Sequence, residues 1–594
     1  MRVQESGSLS RAEAGPASGR SLIDLFAGTV SRYGSLPAVT DRSATLTFDE
    51  LDAWSNAVAA RLSAHGVGPG DVVAFQLDRG NRLFAVLLGI LKAGAAYVAV
   101  DPRHPRARRT AMIARARAKV LVIEEPADDP GEPGTTVVRL GQEPVPKHAG
   151  ETPARGPGAQ DMACVLFTSG SSGEPKAVAL GHGNLVFFAE NPSLPAIGPH
   201  DRMGHISNVS FDAFHYETWC AFAAGAEIVV LEPLPVLLGQ DVRRALRRHR
   251  ITVMLVPSMA LNHVVREDRE AFNDLRVLCT GGDVVLPETC AQLIEGGFQG
   301  ELWNLYGPTE ATTACVGHRV TEEDGRSASV PIGKPFEGVS VRILDESGAE
   351  LPPGEIGVLH VGGPGVARGY LESVPADPFT SEGAVRCYAT GDRVRQREGG
   401  VLEFHGRADS QVKIRGHRVE PAEIERTLTG CDGVHAAVVV PVGAGQDRLL
   451  AAVVVADATV RPQALRAYTA GELPEFMVPA VVVRVDALPI SEHGKQDRDA
   501  IAALAATAAR RSVARVAPRD EVERYLAEIW EELLLVEGPG VEDDFFALGG
   551  NSLLAFRMAR RLEERFGAAI GARAMLGQTT LGELAALVRE AMAA

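Results

Sequence analysis

Short apolar runs alternate with helix-like patterns over most of this chain. VVAFQL, YVAV, AEIVVL, ITVMLV and RVLCT are separated by segments such as FDELDAWSNAVAARLSAH, in which apolar residues recur at helical spacing. This alternation, from residue 21 to about residue 407, is typical of parallel strands joined by crossover helices. We therefore predict a large α/β unit over residues 21–408.

Two further folding units and a linker are predicted after the large unit. At 409–505 a short strand region, QVKIRGHRV, precedes the apolar strands HAAVVVPV and LLAAVVVA and a helix, which predicts a small α+β domain. The Ala- and Arg-rich stretch at 506–517 has the composition of a linker. Residues 518–594 are predicted to form an all-α four-helix bundle, because one helical face carries Leu554, Met558, Leu562 and Phe566.

Composition and charge exclude several classes of protein. Residues 1–20 lack the apolar stretch of a signal peptide and are expected to be a disordered lead-in, and no apolar run approaches the roughly 20 residues of a membrane span. A net charge of −16 disfavours binding to nucleic acid. The seven cysteines are scattered without a C-x-x-C pair, which argues against a zinc site or a disulfide framework and favours the cytoplasm.

Two loops carry groups suited to a nucleotide. LFTSGSSGEPK at 166–176 runs from a strand end into a Gly/Ser/Thr-rich loop closed by Lys176, which can direct N–H groups, hydroxyls and one positive charge at phosphate oxygens. Its spacing is not that of a Walker A loop, and an ordinary surface loop is the alternative. NLYGPTE at 304–310 could stack a base and hold Mg²⁺, or be a simple β-turn.

Two later residues are ambiguous when taken alone. Asp392 in YATGD follows a glycine turn and could simply cap that turn. Ser552 in DDFFALGGNSLL follows a Gly-Gly pair at the start of the amphipathic helix, where the serine would be exposed beside the positive helix end. Helix capping is the commoner use of such a serine.

The order of these motifs carries a resemblance to a known family. TSGSSGEPK, NLYGPTE, YATGD, GRADSQVKIRGHRVE and HGKQDR resemble the motifs of the adenylate-forming superfamily and, within it, the adenylation domains of nonribosomal peptide synthetases. LTFDEL, LKAGAAYVAVDP and LPEFMVP resemble further core motifs, so the resemblance covers nearly the whole chain. It implies a large N-terminal and a small C-terminal subdomain, hinged at Asp409, with ATP and Mg²⁺ bound between them.

The resemblance implies nucleotide-binding roles by matched position. Tyr306 would stack on adenine, and Asp392 with Arg407 beside it would hold the ribose hydroxyls. Thr309 and Glu310 would serve the α-phosphate and Mg²⁺. The pyrophosphate part of ATP would be bound by Thr168, Ser169, Gly170, Ser171, Ser172, Gly173 and Lys176.

Lys495 in HGKQDR matches the catalytic lysine of the family. Its ammonium group would lie where charge concentrates on the α-phosphate and the leaving pyrophosphate, and would stabilise that charge. An isolated lysine near a turn is usually just solvated, and only the motif reverses that interpretation. The chain departs from the family pattern at Ala177, Phe214 and His493, which puts local backbone geometry in question rather than the reaction.

The resemblance also implies a pocket for the substrate. Asp212 in FDAFHYETW would pair with an α-ammonium group, which favours an amino acid over an aryl or fatty acid, because an unpaired buried aspartate costs several kcal/mol. A helix N-cap is the alternative role. The other matched positions are uncharged and predict a neutral side chain, medium aliphatic or hydroxylated first and aromatic next. They are Ala213, Tyr216, Leu255, Cys279, Gly281, Leu305, Thr313 and Ala314.

The segment around Ser552 resembles peptidyl carrier domains, in which this serine receives 4′-phosphopantetheine. The second half-reaction would then load the arm with the amino acid, after the small subdomain rotates about Asp409 and turns Lys413 and the loop around Gly416 toward the arm's channel. Expected partners are a phosphopantetheinyl transferase, a condensation domain or tailoring enzyme acting in trans, and an MbtH-like helper protein.

Two other functions share part of this pattern. A stand-alone acyl- or aryl-CoA ligase has the same ATP motifs, but Asp212 and LGGNS count against it. An inactive carrier scaffold with a decayed adenylation fold would not be expected to keep Lys176, Glu310, Asp392 and Lys495.

Overall fold

The structure is a computed structural model. It describes residues 19–124, 134–140, 156–170, 174–374, 377–414, 416–443, 448–489, 497–510, 517–534, 538–541, 543, 545, 548, 550, 552–567 and 580–593. The first half of the large unit contains, in chain order, α1 (Leu22–Tyr33), β1 (Pro37–Thr40), β2 (Thr45–Thr47), α2 (Phe48–Ala64), β3 (Val72–Gln76), α3 (Asn81–Lys92), β4 (Ala96–Ala99), α4 (Arg106–Arg115), β5 (Val120–Glu124), β6 (Thr136–Leu140), β7 (Met162–Thr168), β8 (Lys176–Gly181), α5 (His182–Ala189) and β9 (Arg202–His205).

The second half of the large unit completes its sheets. It contains α6 (Ala213–His215), α7 (Ala221–Ala224), β10 (Glu227–Val230), α8 (Leu234–Leu238), α9 (Val242–His249), β11 (Val253–Pro257), α10 (Ser258–Glu267), β12 (Val277–Gly281), α11 (Pro287–Glu295), β13 (Glu301–Tyr306), β14 (Val316–Arg319), β15 (Lys334–Pro335), β16 (Ser340–Leu344), β17 (Ile356–Gly362), β18 (Gly369–Tyr370), β19 (Phe379–Glu382), β20 (Val385–Gln396) and β21 (Leu402–Arg407). A single π-helical turn, Tyr216–Cys220, joins α6 to α7.

The described residues of the large unit form three sheets. A nine-stranded sheet has the order β15-β14-β13-β12-β11-β9-β10-β1-β2 and a seven-stranded sheet the order β18-β8-β7-β4-β3-β5-β6, both with parallel strands at their centres. β16, β17, β19, β20 and β21 form an antiparallel sheet. One hydrophobic core contains residues of all three sheets. The α/β architecture predicted from the alternating pattern is confirmed.

The start of α2 shows how the local sequence sets an element. In LTFDEL, the Thr47 hydroxyl accepts a hydrogen bond from the backbone N–H of Glu50, and the Glu50 carboxylate accepts one from the backbone N–H of Thr47. This reciprocal capping satisfies two N–H groups that the first turn of a helix would otherwise leave unpaired. The motif therefore fixes where α2 begins.

The small α+β unit follows residue 409. It contains β22 (Val412–Ile414), β23 (His417–Val419), α12 (Pro421–Thr429), β24 (Val434–Val442), β25 (Leu449–Ala456), α13 (Pro462–Glu472), β26 (Val481–Val485) and α14 (Arg498–Arg510). β24 pairs antiparallel and β26 parallel with β25. Because α14 continues to Arg510, the segment predicted as a linker at 506–517 begins as helix, and most of its remainder, 511–516, lies outside the described residues.

The C-terminal unit is helical, as predicted. Its described helices are α15 (Glu521–Leu534), α16 (Ser552–Phe566) and α17 (Leu581–Ala593), and a fourth helix is not among the described residues. Met558 and Leu562 are buried in its core, and Leu554 and Phe566 pack against that core. The apolar face predicted for α16 is therefore confirmed. Within the described part of the chain, no helix is both long and apolar enough to cross a bilayer.

Candidate active site

A cleft opens between the large unit and the small α+β unit. Its large-unit wall lies beyond the carboxyl ends of β7, β9 and β13, where open α/β sheets generally bind ligands. The turn from β22 to β23 and the segment around Phe476 form the facing wall. The sequence-predicted residues that line this cleft are Thr168, Ser169, Asp212, Tyr306, Thr309, Asp392, Arg407, Lys413 and Gly416.

The residues predicted to bind adenosine form one connected group. The Tyr306 hydroxyl, at the end of β13, donates a hydrogen bond to the Asp392 carboxylate on β20. Arg407 on β21 lies opposite Asp392 in the strand register and pairs with both Asp392 and Asp409. Burial raises the pKa of Tyr306, so its hydroxyl remains a donor at neutral pH. The predicted hinge residue is thus tied through Arg407 to the predicted ribose site.

The phosphate loop is described at its two ends. The buried Thr168 hydroxyl has no hydrogen-bond partner among the described residues, and the Ser169 hydroxyl donates to the Arg418 carbonyl at 2.9 Å. A Cβ at Gly170 would lie 1.8 Å from the Glu174 carbonyl oxygen, so this close approach requires glycine. The Lys176 ammonium lies 5.5 Å from the centre of the Tyr370 ring. The predictions for Ser171, Ser172 and Gly173 lie outside the described residues.

Glu310 is fully buried and accepts two hydrogen bonds. The Tyr370 hydroxyl donates to its Oε1 at 2.8 Å, and Nη1 of Arg418, on β23 of the small unit, donates to its Oε2 at 2.9 Å. Burial alone would raise the pKa of Glu310, but the Arg418 guanidinium holds it below the usual value. The Glu310 carboxylate and the Thr309 hydroxyl are oxygen ligands that suit Mg²⁺.

Asp212 lies on the cleft wall at the start of α6. Its Oδ2 accepts a hydrogen bond from the Thr309 hydroxyl at 2.6 Å, and its carbonyl accepts one from the Thr313 hydroxyl at 2.9 Å. Although Asp212 occupies the N-cap position, its side chain makes no capping hydrogen bond, which removes the basis for the alternative role. Burial raises the pKa of Asp212.

The side-chain pocket predicted beside Asp212 is tightly packed. The Tyr216 and Cys279 side chains are both fully buried, with the Tyr216 hydroxyl 3.1 Å from the Cys279 Sγ. A Cβ at Gly281 would lie 2.3 Å from the Leu305 carbonyl oxygen. Glycine at 281, one of the positions matched to the substrate pocket, thus allows β12 and β13 to approach each other. Leu255 and Ala314 are nearly buried in the same core, and Ala213 and Thr313 are partly buried.

Two of the departures from the family pattern can be placed in the structure. The Phe214 ring is fully buried and stacks on Phe84, with its centre 6.0 Å away, so the larger side chain fills core space. Ala177 pairs with Phe167 between β8 and β7 without interrupting the ladder. His493, like the predicted catalytic Lys495, lies outside the described residues.

Several residues of the cleft were not singled out from the sequence. Arg418 falls within the motif GRADSQVKIRGHRVE, which could have suggested it, and His104 follows LKAGAAYVAVDP. Phe211, His417 and Phe476 form an aromatic cluster, with the His417 and Phe476 rings stacked 4.1 Å apart and Phe211 4.9 Å from His417. Nothing in a single sequence indicates that these three rings meet.

The carrier unit touches the large unit through α16. Arg557 pairs with Glu267 of α10 at 3.2 Å, and Arg560 donates to the Gly239 carbonyl, just after α8, at 3.2 Å. Ser552 is the first residue of α16, but its side chain is not among those described.

Comparison with known proteins places this arrangement in a family. The model of the AMP-binding enzyme family matches residues 26–371, that of the AMP-binding enzyme C-terminal domain residues 423–495, and that of the phosphopantetheine attachment site residues 524–588. Malpibaldin synthetase of Mortierella alpina is 35% identical over 578 residues, 94% of this chain and 10% of that protein. Bacitracin synthase 2 of Bacillus licheniformis is 32% identical over 584 residues, 96% of this chain and 22% of that protein.

A solved structure shares the whole architecture. Holo-PA1221, an NRPS protein containing adenylation and PCP domains bound to a vinylsulfonamide inhibitor, superposes with a TM-score of 0.82 at 28% identity and covers 97% of both chains. The two synthetases above are much longer proteins, of which this chain spans only 10% and 22%.

The fold and the cleft define an adenylate-forming ligase, and the chain belongs to the AMP-binding enzyme family. Within that family it is of the nonribosomal peptide synthetase type, an ATP-using adenylation domain followed by a carrier domain with a phosphopantetheine attachment site. The resemblance inferred from the motifs is confirmed.

Proposed function

We propose that the chain activates a neutral L-amino acid as aminoacyl-AMP and passes it, as a thioester, to the phosphopantetheine arm on Ser552 of its own carrier unit. The observation that carries this proposal is the Asp212 carboxylate on the cleft wall, hydrogen-bonded to the neutral Thr309 hydroxyl. A partly buried carboxylate with a neutral partner favours a cation beside it. The α-ammonium group of an amino acid supplies one, and Thr309 links that site to the adjacent Glu310.

A neutral substrate side chain is supported by the groups around the pocket. Burial raises the pKa of Tyr216 and raises that of Cys279 to about 12, so both stay uncharged at neutral pH. A charged substrate side chain next to them would have no counter-ion and would lose its hydration. The two groups are already paired with each other, which leaves less hydrogen-bonding capacity for a strongly polar side chain.

The proposed ATP-side roles follow from the contacts of the cleft. Tyr306, hydrogen-bonded to Asp392, would offer its ring to adenine, and the Asp392 carboxylate, which also lines the cleft, would accept hydrogen bonds from the ribose hydroxyls. The unpartnered Thr168 hydroxyl and the Lys176 ammonium serve the phosphates. Mg²⁺, held by Glu310, would neutralise charge on those phosphates, and Lys495 would add a positive charge at the α-phosphate.

Transfer to the chain's own carrier is supported by the docking of α16. Arg557 and Arg560 hold the carrier against α8 and α10 while Lys413, Gly416 and Arg418 line the cleft. This arrangement suits the second half-reaction, because β22 and β23 of the small unit then face the cleft. Once attached, the arm supplies the thiol that carries the amino acid.

The proposed partners follow from the carrier unit. A phosphopantetheinyl transferase must modify the carrier domain, and we place its target at Ser552. A condensation domain or a tailoring enzyme acting in trans would receive the loaded amino acid, and an MbtH-like protein would assist the adenylation unit. We place the reaction in the cytoplasm, which is supported by all seven cysteines being free thiols.

Amino-acid-dependent exchange of pyrophosphate into ATP, measured across a panel of amino acids, tests the first half-reaction. A neutral amino acid should stimulate exchange, and stimulation only by an aryl or fatty acid would refute the role of Asp212. Mass measurement after phosphopantetheinylation tests the second half-reaction. Ser552→Ala should still exchange pyrophosphate but gain no aminoacyl mass, whereas Lys495→Ala should lose adenylation itself.

A further inference from the structure

A buried histidine ends the short helix at whose start Asp212 lies. His215 is the last residue of α6, its side chain is fully buried, and its Nε2 lies 3.2 Å from the Tyr97 hydroxyl and 3.8 Å from the Sγ of Cys164. Burial lowers the pKa of His215 to about 3, so the imidazole is neutral at physiological pH. An apolar side chain would fill the same space without burying polar atoms, which cost free energy unless they are hydrogen-bonded. The contact with Tyr97 is therefore what a histidine adds at this position.

Tyr97 and Cys164 belong to the seven-stranded sheet. They are register partners on the neighbouring parallel strands β4 and β7, so their side chains emerge on the same face of that sheet. Asp212 and α6 instead follow β9, a strand of the nine-stranded sheet. The hydrogen bond between His215 and Tyr97 therefore attaches α6 to the sheet that does not carry it. Burial raises the pKa of Tyr97, so its hydroxyl stays protonated at neutral pH.

The residue on the other side of Tyr216 is attached to the nine-stranded sheet. The buried Glu217 carboxylate accepts hydrogen bonds from the backbone N–H of Ser207 at 3.1 Å and from its hydroxyl at 2.8 Å, and it pairs with His205 at the end of β9. His215 and Glu217 thus attach one short segment to two different sheets. Loss of the His215 contact should therefore loosen the segment on one side without unfolding it.

The backbone of His215 is bonded to Asp212. The His215 N–H donates to the Asp212 carbonyl at 2.8 Å, and the Thr313 hydroxyl donates to the same carbonyl. A displacement of His215 is therefore transmitted to Asp212, whose carboxylate is otherwise held by the Thr309 hydroxyl. A side chain that recognises a ligand must be held within about 0.5 Å of its productive position by the residues that support it. His215 is such a supporting residue for Asp212.

We propose that His215, through its hydrogen bond to Tyr97, is a positioning residue that holds the Asp212 carboxylate in place for the α-ammonium group of the substrate. The inference rests on the proposed activation of an amino acid. Because His215 is fully buried, it does not contact the substrate itself. Loss of the hydrogen bond should therefore weaken recognition of the ammonium group and leave the chemistry at the α-phosphate as it is.

Pyrophosphate exchange by variants of the full chain, with the amino acid that stimulates it best, tests this role. Tyr97→Phe and His215→Leu should each raise the KM for the amino acid about 3- to 10-fold, as expected for one lost hydrogen bond, with kcat and the KM for ATP unchanged. His215→Gln keeps a polar atom near the position of Nε2 and should recover most of the amino-acid KM. His182→Leu is the matched control, because His182 is also fully buried but accepts from the Leu22 N–H; it should lower the Tm without changing that KM.

Two further measurements separate positioning from a general loss of stability. In an Asp212→Asn background no charge is left to position, so adding Tyr97→Phe should raise the amino-acid KM no further. The matching α-hydroxy acid lacks the ammonium group, so its inhibition constant should be the same for Tyr97→Phe and the unsubstituted chain. Full additivity with Asp212→Asn, an equal loss of binding for the hydroxy acid, or an unchanged amino-acid KM in both Tyr97→Phe and His215→Leu would overturn the positioning role. Absence of exchange with every amino acid in the unsubstituted chain would instead refute the proposed function.

Discussion

At the scale of single residues, the proposed amino-acid site depends on the ionisation of Asp212. Burial raises its pKa above the ordinary aspartate value, against the opposing hydrogen bond from Thr309. Only the ionised carboxylate attracts an α-ammonium group, so kcat/KM for the amino acid should fall as pH falls through this raised pKa. A pH profile of pyrophosphate exchange should place that acid limb above the range of an exposed aspartate.

Asp212→Asn is the control for this pH dependence. The amide keeps the volume and can still accept from Thr309, but it carries no charge. We expect kcat/KM for the amino acid to fall by roughly 30- to 1000-fold, the size of a lost buried charge pair, and the acid limb to disappear. If the variant keeps the same acid limb, another group is responsible for it.

The packing around Tyr216 predicts a change of specificity. Tyr216→Ala removes a fully buried side chain and leaves a cavity beside the proposed site of the substrate side chain. Larger neutral amino acids should then stimulate exchange, and the KM of the native one should rise about tenfold. Tyr216→Phe, which loses only the hydroxyl that meets Cys279, should keep the native preference. Identical amino-acid panels for the two variants would show that Tyr216 does not bound the pocket.

Sequence reasoning found residues whose motifs carry recognisable chemistry. Tyr306 and Asp392 are 86 positions apart, yet both were predicted and their side chains meet. Arg418 was missed because its significance depends on a contact between units, and a single sequence carries no signal of that contact. Gly281 was assigned to the pocket, but its close approach to Leu305 is a property of strand packing.

At the scale of elements, Gly281 offers a test of the contact between β12 and β13. A Cβ at this position would meet the Leu305 carbonyl, a backbone atom that cannot rotate away. Gly281→Ala should therefore destabilise the large unit by about 1–3 kcal/mol, the usual cost of overpacking. A thermal melt should show a lower Tm. Because the clash would displace Leu305 and with it the neighbouring Tyr306, the KM for ATP should also rise. An unchanged Tm would mean that β12 and β13 can move apart enough to admit the Cβ with little loss of stability.

The docking of α16 predicts a charge dependence of loading. Arg557→Glu places two carboxylates together at the contact with Glu267 and should slow single-turnover loading of the holo-carrier about 3- to 10-fold. The effect is modest because exposed ion pairs contribute about 0–1 kcal/mol. The double variant that combines Arg557→Glu with Glu267→Arg should restore loading. High salt should reduce the difference in loading rate between Arg557→Glu and the unsubstituted chain. Equal loading by the single and double variants would argue against this contact during transfer.

The apolar periodicity of the sequence predicted strands better than it predicted irregularities within helices. The five quoted apolar runs of the large unit correspond to β3, β4, β10, β11 and β12, because buried parallel strands are continuously apolar. The segment FDAFHYETW, which contains Asp212 and Tyr216, does not form one regular helix, because the π-helical turn Tyr216–Cys220 follows α6. An inserted residue of this kind leaves no mark on apolar periodicity, although such turns are frequent at functional sites.

At the scale of the whole molecule, the arrangement of the two units decides which chemistry the cleft favours. Arg418 is carried by the small unit, while Glu310 belongs to the large one, and their contact lies at the predicted magnesium ligand. A guanidinium 2.9 Å from a carboxylate oxygen repels a divalent cation that approaches the same carboxylate. The subdomain orientation described here is thus expected to compete with Mg²⁺ binding, a property that neither unit shows by itself.

Arg418→Met should therefore shift the two half-reactions in opposite directions. Without the guanidinium, the present orientation would leave Glu310 buried and unpaired, which is costly, so its population should fall by roughly 10- to 100-fold, a shift of about 1.4–2.8 kcal/mol. Loading of the holo-carrier should slow accordingly, while the Mg²⁺ concentration that half-saturates pyrophosphate exchange should decrease. Arg418→Lys keeps a cation near Glu310, so both of its effects should be intermediate between those of the unsubstituted chain and those of Arg418→Met. Parallel loss of both half-reactions in Arg418→Met, with an unchanged Mg²⁺ dependence, would show that Arg418 supports the fold and does not compete with the metal.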